Sequence, residues 1–325
     1  MIHQQQEKWS RRSNLLDSGL VVEEAAQAVL SFPESREEYL AEVLLPLLYL
    51  PEPAIDLQPL HFLPVYAEER ADPQFLHRLA VAGRLDYVRY RLLDELADAA
   101  AAGEPVTLSA HRLNAKLAGL ALTRYRRALP EPVWGPFFGT VAALYAGHSL
   151  SLALDAANLR AVGLDLSLED YVDHARARHG PARTSLDAVL LANAVTTERL
   201  DSARESWHCC TLALQFYDDV LDIEEDLEAG KCTWTVVQAL IKARAGAYML
   251  DNAPGDPLEL ELVYQAALAE GVLVETLHHA EAFLQKAARL AKPLFPSWVA
   301  FQEAGVKHLS ALRAEYEELG YEARR

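Results

Sequence analysis

The sequence is most informative at residues 215–226, which read Gln215-Phe216-Tyr217-Asp218-Asp219-Val220-Leu221-Asp222-Ile223-Glu224-Glu225-Asp226. On an α-helix of 3.6 residues per turn, Gln215, Asp219, Asp222 and Asp226 form one continuous stripe beside apolar residues of a core helix. Like charges at these spacings destabilise a helix by roughly 0.2–0.5 kcal/mol per pair. Buried carboxylates cost more unless a cation neutralises them.

This acidic stripe indicates a bound cation. Carboxylates supply only oxygen ligands, which favour a hard metal, Mg²⁺ before Ca²⁺. Mg²⁺ on one or two carboxylates usually keeps its other positions for water and substrate phosphates. The alternative interpretation is a solvated acidic face. We predict that Mg²⁺ binds the second acid cluster, defined as Asp218, Asp219, Asp222 and Asp226.

A further group of acids, the first acid cluster, comprises Asp94, Glu95 and Asp98. Asp94 and Asp98 are four residues apart and share a helix face. Glu95 follows Asp94 and lies about 100° round the helix from it. The helix that carries them has a regular apolar side made by Leu85, Val88, Leu92 and Leu96. We predict Asp94, Glu95 and Asp98 as metal ligands as well.

Two acid clusters on apolar helices far apart in the sequence predict helices that face each other across a cavity, a known arrangement in helical bundles. Several Mg²⁺ ions held there would surround a polyanion. A diphosphate is the natural candidate, because metal ions neutralise phosphate oxygens as charge develops on a leaving group. We predict Asp94, Asp98 and Asp219 as the catalytic residues.

Several segments resemble motifs of the polyprenyl synthetase family. Residues 94–98 resemble its first aspartate-rich motif, DDxxD, and residues 215–222 resemble the second, FQxxDDxxD. Residues 225–233 are similar to the tail of the second motif, EDxxxGKxT. Arg183-Thr184 resembles the Lys-Thr segment of the family, and residues 147–150 stand where it usually has Gly-Gln-x-Leu-Asp.

The resemblance implies the all-α class I terpenoid synthase-like fold, a single-domain helical bundle with a central cavity. We place this domain at residues 34–325, after a polar N-terminal arm at 1–33. It further implies Mg²⁺-dependent chemistry on an isoprenyl diphosphate, with a C10–C20 chain expected here. The residues it implies for substrate binding are Arg183, Thr184, Gln215 and Lys231.

The chain also departs from the family. Residues 20–80 lack the Gly-Gly-Lys-Arg-x-Arg-Pro segment that holds isopentenyl diphosphate, and residues 99–104, Ala-Ala-Ala-Ala-Gly-Glu, replace an Arg-Arg pair. A second polyanion would lack its cations there. We therefore favour a terpene synthase (cyclase) that releases diphosphate and steers the allylic cation to product. The alternative is a prenyltransferase or isoprenyl diphosphate synthase, and a further alternative is a non-catalytic subunit of a heteromeric prenyl synthase.

Tyr90 lies four residues before Asp94 and shares its helix face. If the substrate tail runs from Asp94 toward the helix N-terminus, Tyr90 lines the cavity and limits the accepted chain length. The alternative is a simple core aromatic.

The composition agrees with a soluble metabolic enzyme. The 325 residues are 51% hydrophobic and carry a net charge of −17, which argues against nucleic acid as a partner. Three cysteines give no disulfide framework. We find no signal peptide and no apolar run of the roughly 18 residues that span a bilayer, so we expect a cytoplasmic protein without a membrane span. Homodimer formation is left open.

The apolar periodicity predicts helices and no strand. A capping box at Ser35 opens the first, which runs to about Leu50. The others are predicted at 74–102, 107–128, 134–161, 167–179, 184–228, 231–251, 256–290 and 297–319.

Overall fold

The computed structural model describes residues 18–36, 72–101, 106–158, 166–228, 231, 233–243 and 257–323. These ranges contain helices and no strand, so the predicted all-α fold is confirmed. The helix predicted from Ser35 lies mostly outside them, and Pro33–Arg36 forms a short 3₁₀ helix, as does Gly180–Arg183. The α-helices are α1 (Ser18–Leu30), α2 (Pro73–Ala101), α3 (Leu108–Ala128), α4 (Glu131–Asn158), α5 (Leu168–Arg178), α6 (Thr184–Ala192), α7 (Thr197–Leu221), α8 (Ile223–Glu228), α9 (Trp234–Ala243), α10 (Pro257–Ala269), α11 (Val272–Ala291) and α12 (Pro296–Ala323).

The chain divides into two compact units, of which unit 1 comprises Met1–Leu152 and Arg178–Arg204. Its central element is α2, which packs against α1, α3 and α6. The apolar side predicted for α2 is buried, and each fully buried leucine contributes roughly 1.5–3 kcal/mol. Helix α1 falls inside the predicted polar arm, yet its own apolar side is buried at Val21, Ala25, Ala26 and Val29.

Unit 2 comprises Ala153–Ala177 and Glu205–Arg325. Helices α11 and α12 pack along each other, and α9 and α10 pack on them. A Cβ atom added to Gly305 of α12 would lie 2.6 Å from Leu284 Cδ2 of α11, so a larger residue there would require the leucine side chain to move. Ser206 of α7 joins the same core by donating its hydroxyl to the carbonyl of Ala287, at 2.9 Å.

The helix predicted over 184–228 is wrong as a single helix, because the structure forms α6, α7 and α8 there. The chain turns at residues 193–196, where Asn193 Nδ2 donates to the carbonyl of Val189 at 3.0 Å. Thr196 Oγ1 accepts from the backbone N–H of Arg199 at 3.4 Å and caps the start of α7. Local side-chain hydrogen bonds therefore outweigh the apolar periodicity at this turn.

The helix predicted over 256–290 is likewise divided, into α10 and α11. Gly271 stands between them with a φ of 76°, a left-handed conformation that side chains disfavour. The apolar pattern continues through this position, which is why periodicity alone did not reveal the break.

One segment of the described chain, Glu131–Leu154 in α4, is long and apolar enough to cross a membrane by length and composition. Two residues of this segment, Tyr145 and His148, make polar contacts with other residues of unit 1. The hydroxyl of Tyr145 donates to Asp86 Oδ1 at 2.8 Å, and His148 Nδ1 lies 2.8 Å from the carbonyl oxygen of Arg178. Such contacts are typical of a helix packed in a protein core, and the absence of a membrane span stays our prediction.

Candidate active site

Asp94 of unit 1 lies against basic groups of the protein. Its side chain is buried, and its Oδ1 is 3.6 Å from Arg178 Nη2 and 3.7 Å from His148 Nε2. His148 Nδ1 faces the carbonyl oxygen of Arg178 at 2.8 Å, so this nitrogen carries the hydrogen. One buried histidine therefore contacts both the carboxylate and the backbone of the arginine that faces it.

The other members of the first acid cluster differ from Asp94. The side chain of Glu95 is 42% exposed, and its Oε1 lies 3.8 Å from Arg91 Nη2, one turn back along α2. The side chain of Asp98 lies outside the described residues. Asp94 is thus the buried carboxylate of this cluster among the side chains described.

Tyr90 is buried one turn before Asp94, on the side that the sequence predicts. Its hydroxyl is 3.2 Å from His179 Nδ1, and its ring centroid is 4.9 Å from that of His148. Tyr90 therefore packs directly against the histidine that contacts Asp94, and the chain-length role predicted for it stays a prediction.

Arg183, predicted as a diphosphate ligand, contacts a buried acid of unit 1. Its Nε donates to Asp187 Oδ2 at 2.9 Å, and Arg204 Nε donates to Asp187 Oδ1 at 2.6 Å. Asp187 is fully buried. The neighbouring Thr184 donates its hydroxyl to the carbonyl of Pro181 at 2.7 Å.

Arg178 is an arginine that the structure places beside Asp94, and our motif comparison did not select it. Arg178 ends α5 and carries a half-buried guanidinium, with 27% of the side chain exposed. The sequence signal was present, because Arg176, Arg178, His179 and Arg183 form a basic cluster. Choosing among these four required the fold.

Asp219, in unit 2, is the buried centre of the second acid cluster. It is 1% exposed and accepts two neutral donors, the hydroxyl of Tyr171 at 2.5 Å and Nε2 of Gln215 at 2.8 Å. Burial is the main cause that raises the pKa of Asp219 to about 7; the hydrogen bonds from Tyr171 and Gln215 oppose the rise, and the charges of Asp226 and Asp218 add to it. An ionised Asp219 is therefore poorly compensated by these partners, which is the electrostatic condition for binding a cation.

The other residues of unit 2 that we predict to bind metal or substrate lie close to Asp219 in the sequence. Asp226 is buried, and its Oδ1 lies 2.9 Å from Lys231 Nζ. Burial raises the pKa of Asp226, and Lys231 opposes that rise. Asp218 and Asp222 are exposed. The stripe therefore alternates between buried and exposed acids.

Aromatic side chains pack beside Asp219. The ring of Tyr171, whose hydroxyl contacts Asp219, lies 5.4 Å from the ring of Phe216. Phe216 stacks on Phe283 at 5.8 Å and lies 5.7 Å from His279. Burial lowers the pKa of His279, which favours its neutral form. Tyr171, Phe283 and His279 were missed at the sequence level, because their helices carry no recognisable motif.

Among the side chains described, no group of three or more His, Cys, Asp or Glu residues is arranged to hold a metal ion. A metal here would take one or two carboxylates of the protein and oxygens from water and phosphate, which is the way Mg²⁺ usually binds. The oxygen-only donors and the raised pKa of Asp219 fit such an ion. The donor set therefore suits Mg²⁺ bound together with a phosphorylated ligand.

No protein-family model matches the chain, and no curated protein matches its sequence. Solved structures do match. A polyprenyl synthase from Caulobacter crescentus, in complex with calcium and isoprenyl diphosphate, is 17% identical with a TM-score of 0.66, covering 95% of each chain. A geranylgeranyl pyrophosphate synthase from Lactobacillus brevis, in complex with citrate, is 15% identical with a TM-score of 0.69, covering 96% of this chain and 98% of that one.

A decaprenyl diphosphate synthase from Rhodobacter capsulatus is also similar, at 15% identity and a TM-score of 0.64, with 94% of each chain covered. Identities this low establish the fold alone. The resemblance seen in the sequence motifs is confirmed at that level, and the chain has the fold of the polyprenyl synthases.

Proposed function

We propose that this chain is a Mg²⁺-dependent enzyme that binds an isoprenyl diphosphate and transfers the isoprenyl group to an acceptor, releasing diphosphate. The observation that carries the proposal is Asp219, a buried carboxylate with neutral partners and a pKa raised to about 7. Support also comes from the similar polyprenyl synthase that was solved with a divalent cation and isoprenyl diphosphate. The cytoplasmic location stays a prediction.

The residues proposed to hold Mg²⁺ are Asp94 and the second acid cluster, with Asp98 kept as a prediction. Bound Mg²⁺ supplies positive charge that neutralises the diphosphate oxygens as the C–O bond ionises. Glu95 is now proposed to pair with Arg91 instead of binding metal, because its carboxylate lies 3.8 Å from that arginine and its side chain is 42% exposed.

Arg178 is proposed to bind the diphosphate, in the role first assigned to Arg183. A guanidinium offers five N–H donors in a planar fork that matches phosphate oxygens. Asp94 contacts one side of this fork, and His148 is hydrogen-bonded to the carbonyl of the same arginine. These contacts orient Arg178 before substrate binds, so less side-chain freedom is lost on binding.

The aromatic group of Tyr171, Phe216, Phe283 and His279 is proposed to protect the allylic cation. Ring faces attract cations, and apolar rings exclude the water that would quench one. Gln215 contributes indirectly, by donating a hydrogen bond to Asp219.

Prenyl transfer is preferred over cyclisation, because the similar structures are prenyl diphosphate synthases. This reverses the order that we favoured from the sequence. Cyclisation is kept as the second candidate, since residues 99–104 carry no cation for a second diphosphate. A non-catalytic subunit is disfavoured by the retention of acids in both clusters.

One experiment separates these candidates. The protein is incubated with C5, C10, C15 and C20 allylic diphosphates, with and without isopentenyl diphosphate, and diphosphate release and product size are measured. A prenyltransferase gives a longer product only with an acceptor present. A cyclase gives a hydrocarbon or alcohol without one, and a non-catalytic subunit gives no product.

Metal dependence is tested in the same assay. EDTA should abolish diphosphate release, and added Mg²⁺ should restore it. Full activity in metal-free buffer would contradict the proposal, whichever product forms.

A further inference from the structure

A fifth ring, that of Trp234, extends the aromatic side chains that pack beside Asp219 in unit 2. Its centroid lies 6.1 Å from that of His279, at an interplanar angle of 80°. The ring of His279 lies 5.7 Å from that of Phe216. Phe216 packs on Tyr171, which donates its hydroxyl to Asp219. Ring contacts therefore lead from Asp219 to the indole, and we call these residues the aromatic wall: Tyr171, Phe216, Trp234, His279 and Phe283.

Two polar groups of the aromatic wall have no hydrogen-bond partner in the part of the chain that the structure describes. Trp234 is 9% exposed, and its indole Nε1 is buried without an acceptor there. His279 packs against neighbouring rings, and no described group hydrogen-bonds to either of its ring nitrogens. Buried donors without acceptors are rare in folded proteins because they are unfavourable. The indole N–H is therefore available to an oxygen atom of a ligand.

The aromatic wall also offers no positive charge. Among the described residues, the contacts between a cation and an aromatic ring involve other rings, namely those of Phe32, Tyr87, Trp134 and Tyr145. Burial lowers the pKa of His279, which keeps its imidazole neutral near neutral pH. A diphosphate acceptor would find no cation among these contacts, and polyanions need one. An uncharged acceptor therefore fits the wall better.

We propose that the aromatic wall binds the acceptor of the prenyl transfer, and that this acceptor is an uncharged, electron-rich hydroxyarene such as a phenol or a naphthol. The inference rests on the proposed function, because it assumes that Asp219 takes part in binding an allylic diphosphate. His279 and Phe283 lie one turn apart on α11 and are half-buried, so part of the wall is open to solvent. The acceptor ring packs on the wall, and its hydroxyl oxygen accepts from the indole N–H of Trp234.

The transfer balances without an oxidant or a reductant. The C–O bond of the allylic diphosphate breaks, and its electron pair leaves with the diphosphate. The allylic carbon forms a C–C bond to the acceptor ring carbon next to the hydroxyl. The proton on that ring carbon passes to a nitrogen of neutral His279, and the C–H electron pair restores the aromatic ring. His279 is thus assigned as the general base, and it returns the proton to solvent.

Binding measurements test the acceptor class without turnover. Isothermal titration, with Mg²⁺ and inorganic diphosphate present, compares 2-naphthol with naphthalene, which has the same rings without the hydroxyl. We expect 2-naphthol to bind at least about tenfold more tightly, because only its oxygen satisfies the indole N–H. Trp234→Phe should remove most of this difference. Equal affinities in the wild type, or a difference that Trp234→Phe leaves unchanged, overturn the inference.

Turnover separates failure of the inference from failure of the proposed function. The protein and Mg²⁺ are mixed with allylic diphosphates of C5 to C20 and either 2-naphthol or isopentenyl diphosphate, and diphosphate release and product masses are measured. We expect 2-naphthol to gain an isoprenyl group at least about tenfold faster than isopentenyl diphosphate does. Equal or faster transfer to isopentenyl diphosphate overturns the inference and leaves the proposed function standing. No diphosphate release in any mixture, or release without transfer, overturns both.

Two variants with matched controls test the assigned roles. Trp234→Phe should raise the KM for 2-naphthol at least about tenfold, with less than about a twofold change in the KM for the allylic diphosphate. Trp298 is its control, because this fully buried indole stacks on Phe301 elsewhere in unit 2, and Trp298→Phe should leave the KM for 2-naphthol unchanged. His279→Gln should lower kcat for transfer to 2-naphthol about 100-fold. His278→Gln, at the exposed neighbouring histidine, should not lower it.

Folding of each variant is checked by circular dichroism. A folded Trp234→Phe or His279→Gln variant with wild-type kinetics toward 2-naphthol overturns the inference. Should Trp234→Phe fail to fold, the wild-type comparison of 2-naphthol with naphthalene decides.

Discussion

Asp94 of unit 1 and Asp219 of unit 2 are both buried acids that we predict to be catalytic, yet the groups that contact them differ in charge. Asp94 lies 3.6 Å from the guanidinium of Arg178 and 3.7 Å from the imidazole of His148. Asp219 is held by the hydroxyl of Tyr171 and the amide of Gln215, which carry no charge. Among the residues that the structure describes, Asp94 thus has a cation beside it, whereas Asp219 has neutral donors.

From this difference we propose separate tasks for the two acid clusters. A neutral hydrogen bond compensates the charge of a buried carboxylate less than a cation does. The negative charge of Asp219 should therefore favour the binding of a cation from solution. Asp94, by contrast, orients an arginine that can bind phosphate directly. Metal dependence should therefore be strongest at the second acid cluster, and direct protein contact with the diphosphate strongest at the first.

The largest effect is expected from Asp219→Asn. The amide keeps the size of the side chain and can still accept from Gln215 while donating to the hydroxyl oxygen of Tyr171, but it carries no negative charge to attract a divalent cation. We expect the rate of diphosphate release to fall about 1,000-fold, since such charge stabilisation is among the largest catalytic effects. The measurement is the Mg²⁺ dependence of turnover, with circular dichroism as the test of folding. Near-normal turnover per folded molecule would identify Asp219 as structural.

The pH dependence of the unfolding free energy should reveal the same poorly compensated charge on Asp219. Because the pKa of Asp219 is raised from 3.8 to about 7, the folded state binds this proton more tightly than the unfolded chain. The resulting stabilisation is complete below about pH 4 and is lost as the pH rises through about 7. We expect wild type to lose up to about 4 kcal/mol of unfolding free energy relative to Asp219→Asn over that range.

Urea denaturation in EDTA at a series of pH values measures this difference. Mg²⁺ with inorganic diphosphate should reduce the loss, since a bound cation favours the ionised carboxylate. Parallel pH profiles of the wild type and the variant would mean that a nearby cation already compensates Asp219.

Much of the fold was predictable because helix periodicity is a local property. The apolar side of α2 and the shared face of Gln215 and Asp219 on α7 both follow from spacing alone, whereas Asp222 lies between α7 and α8 and Asp226 lies in α8. The breaks at residues 193–196 and at Gly271 were missed, although Asn193, Thr196 and Gly271 are residues that commonly end or cap helices. Periodicity was given more weight than capping chemistry at both places.

The sequence identified the acidic residues of the candidate site, but it identified only some of the residues that contact them. Asp219 and Gln215 are neighbours on one helix, so their contact follows from four-residue spacing. Arg178 and His148 reach Asp94 from α5 and α4, and no local pattern encodes that meeting. A motif comparison selected Arg183, because a Thr follows it in the sequence.

A pair of arginine variants sharpens this assignment. Arg178→Gln should lower kcat/KM for diphosphate release about 100-fold, since a charge-assisted contact to phosphate is lost. Arg183→Gln should change kcat/KM less than about threefold but lower the unfolding free energy by about 3 kcal/mol, because buried Asp187 loses one of its partners. Steady-state kinetics and urea denaturation measure the two effects. The opposite pattern would return the diphosphate role to Arg183.

The smallest effect is expected from Glu95→Gln, which tests whether the first acid cluster has one important carboxylate or more. Glu95 is adjacent to Asp94, but its side chain is 42% exposed and faces Arg91 at 3.8 Å. Exposed pairs of this kind contribute roughly 0.3–0.5 kcal/mol, so stability should barely change. We expect turnover to fall less than about threefold, whereas Asp94→Asn should remove the partner that orients Arg178 and cost at least about tenfold. Each variant replaces one carboxylate oxygen by an amide nitrogen. Because the two residues are adjacent on the same helix, each variant is the control for the other. Equal losses would mean that Glu95 turns away from Arg91 when substrate binds and acts as a metal ligand beside Asp94.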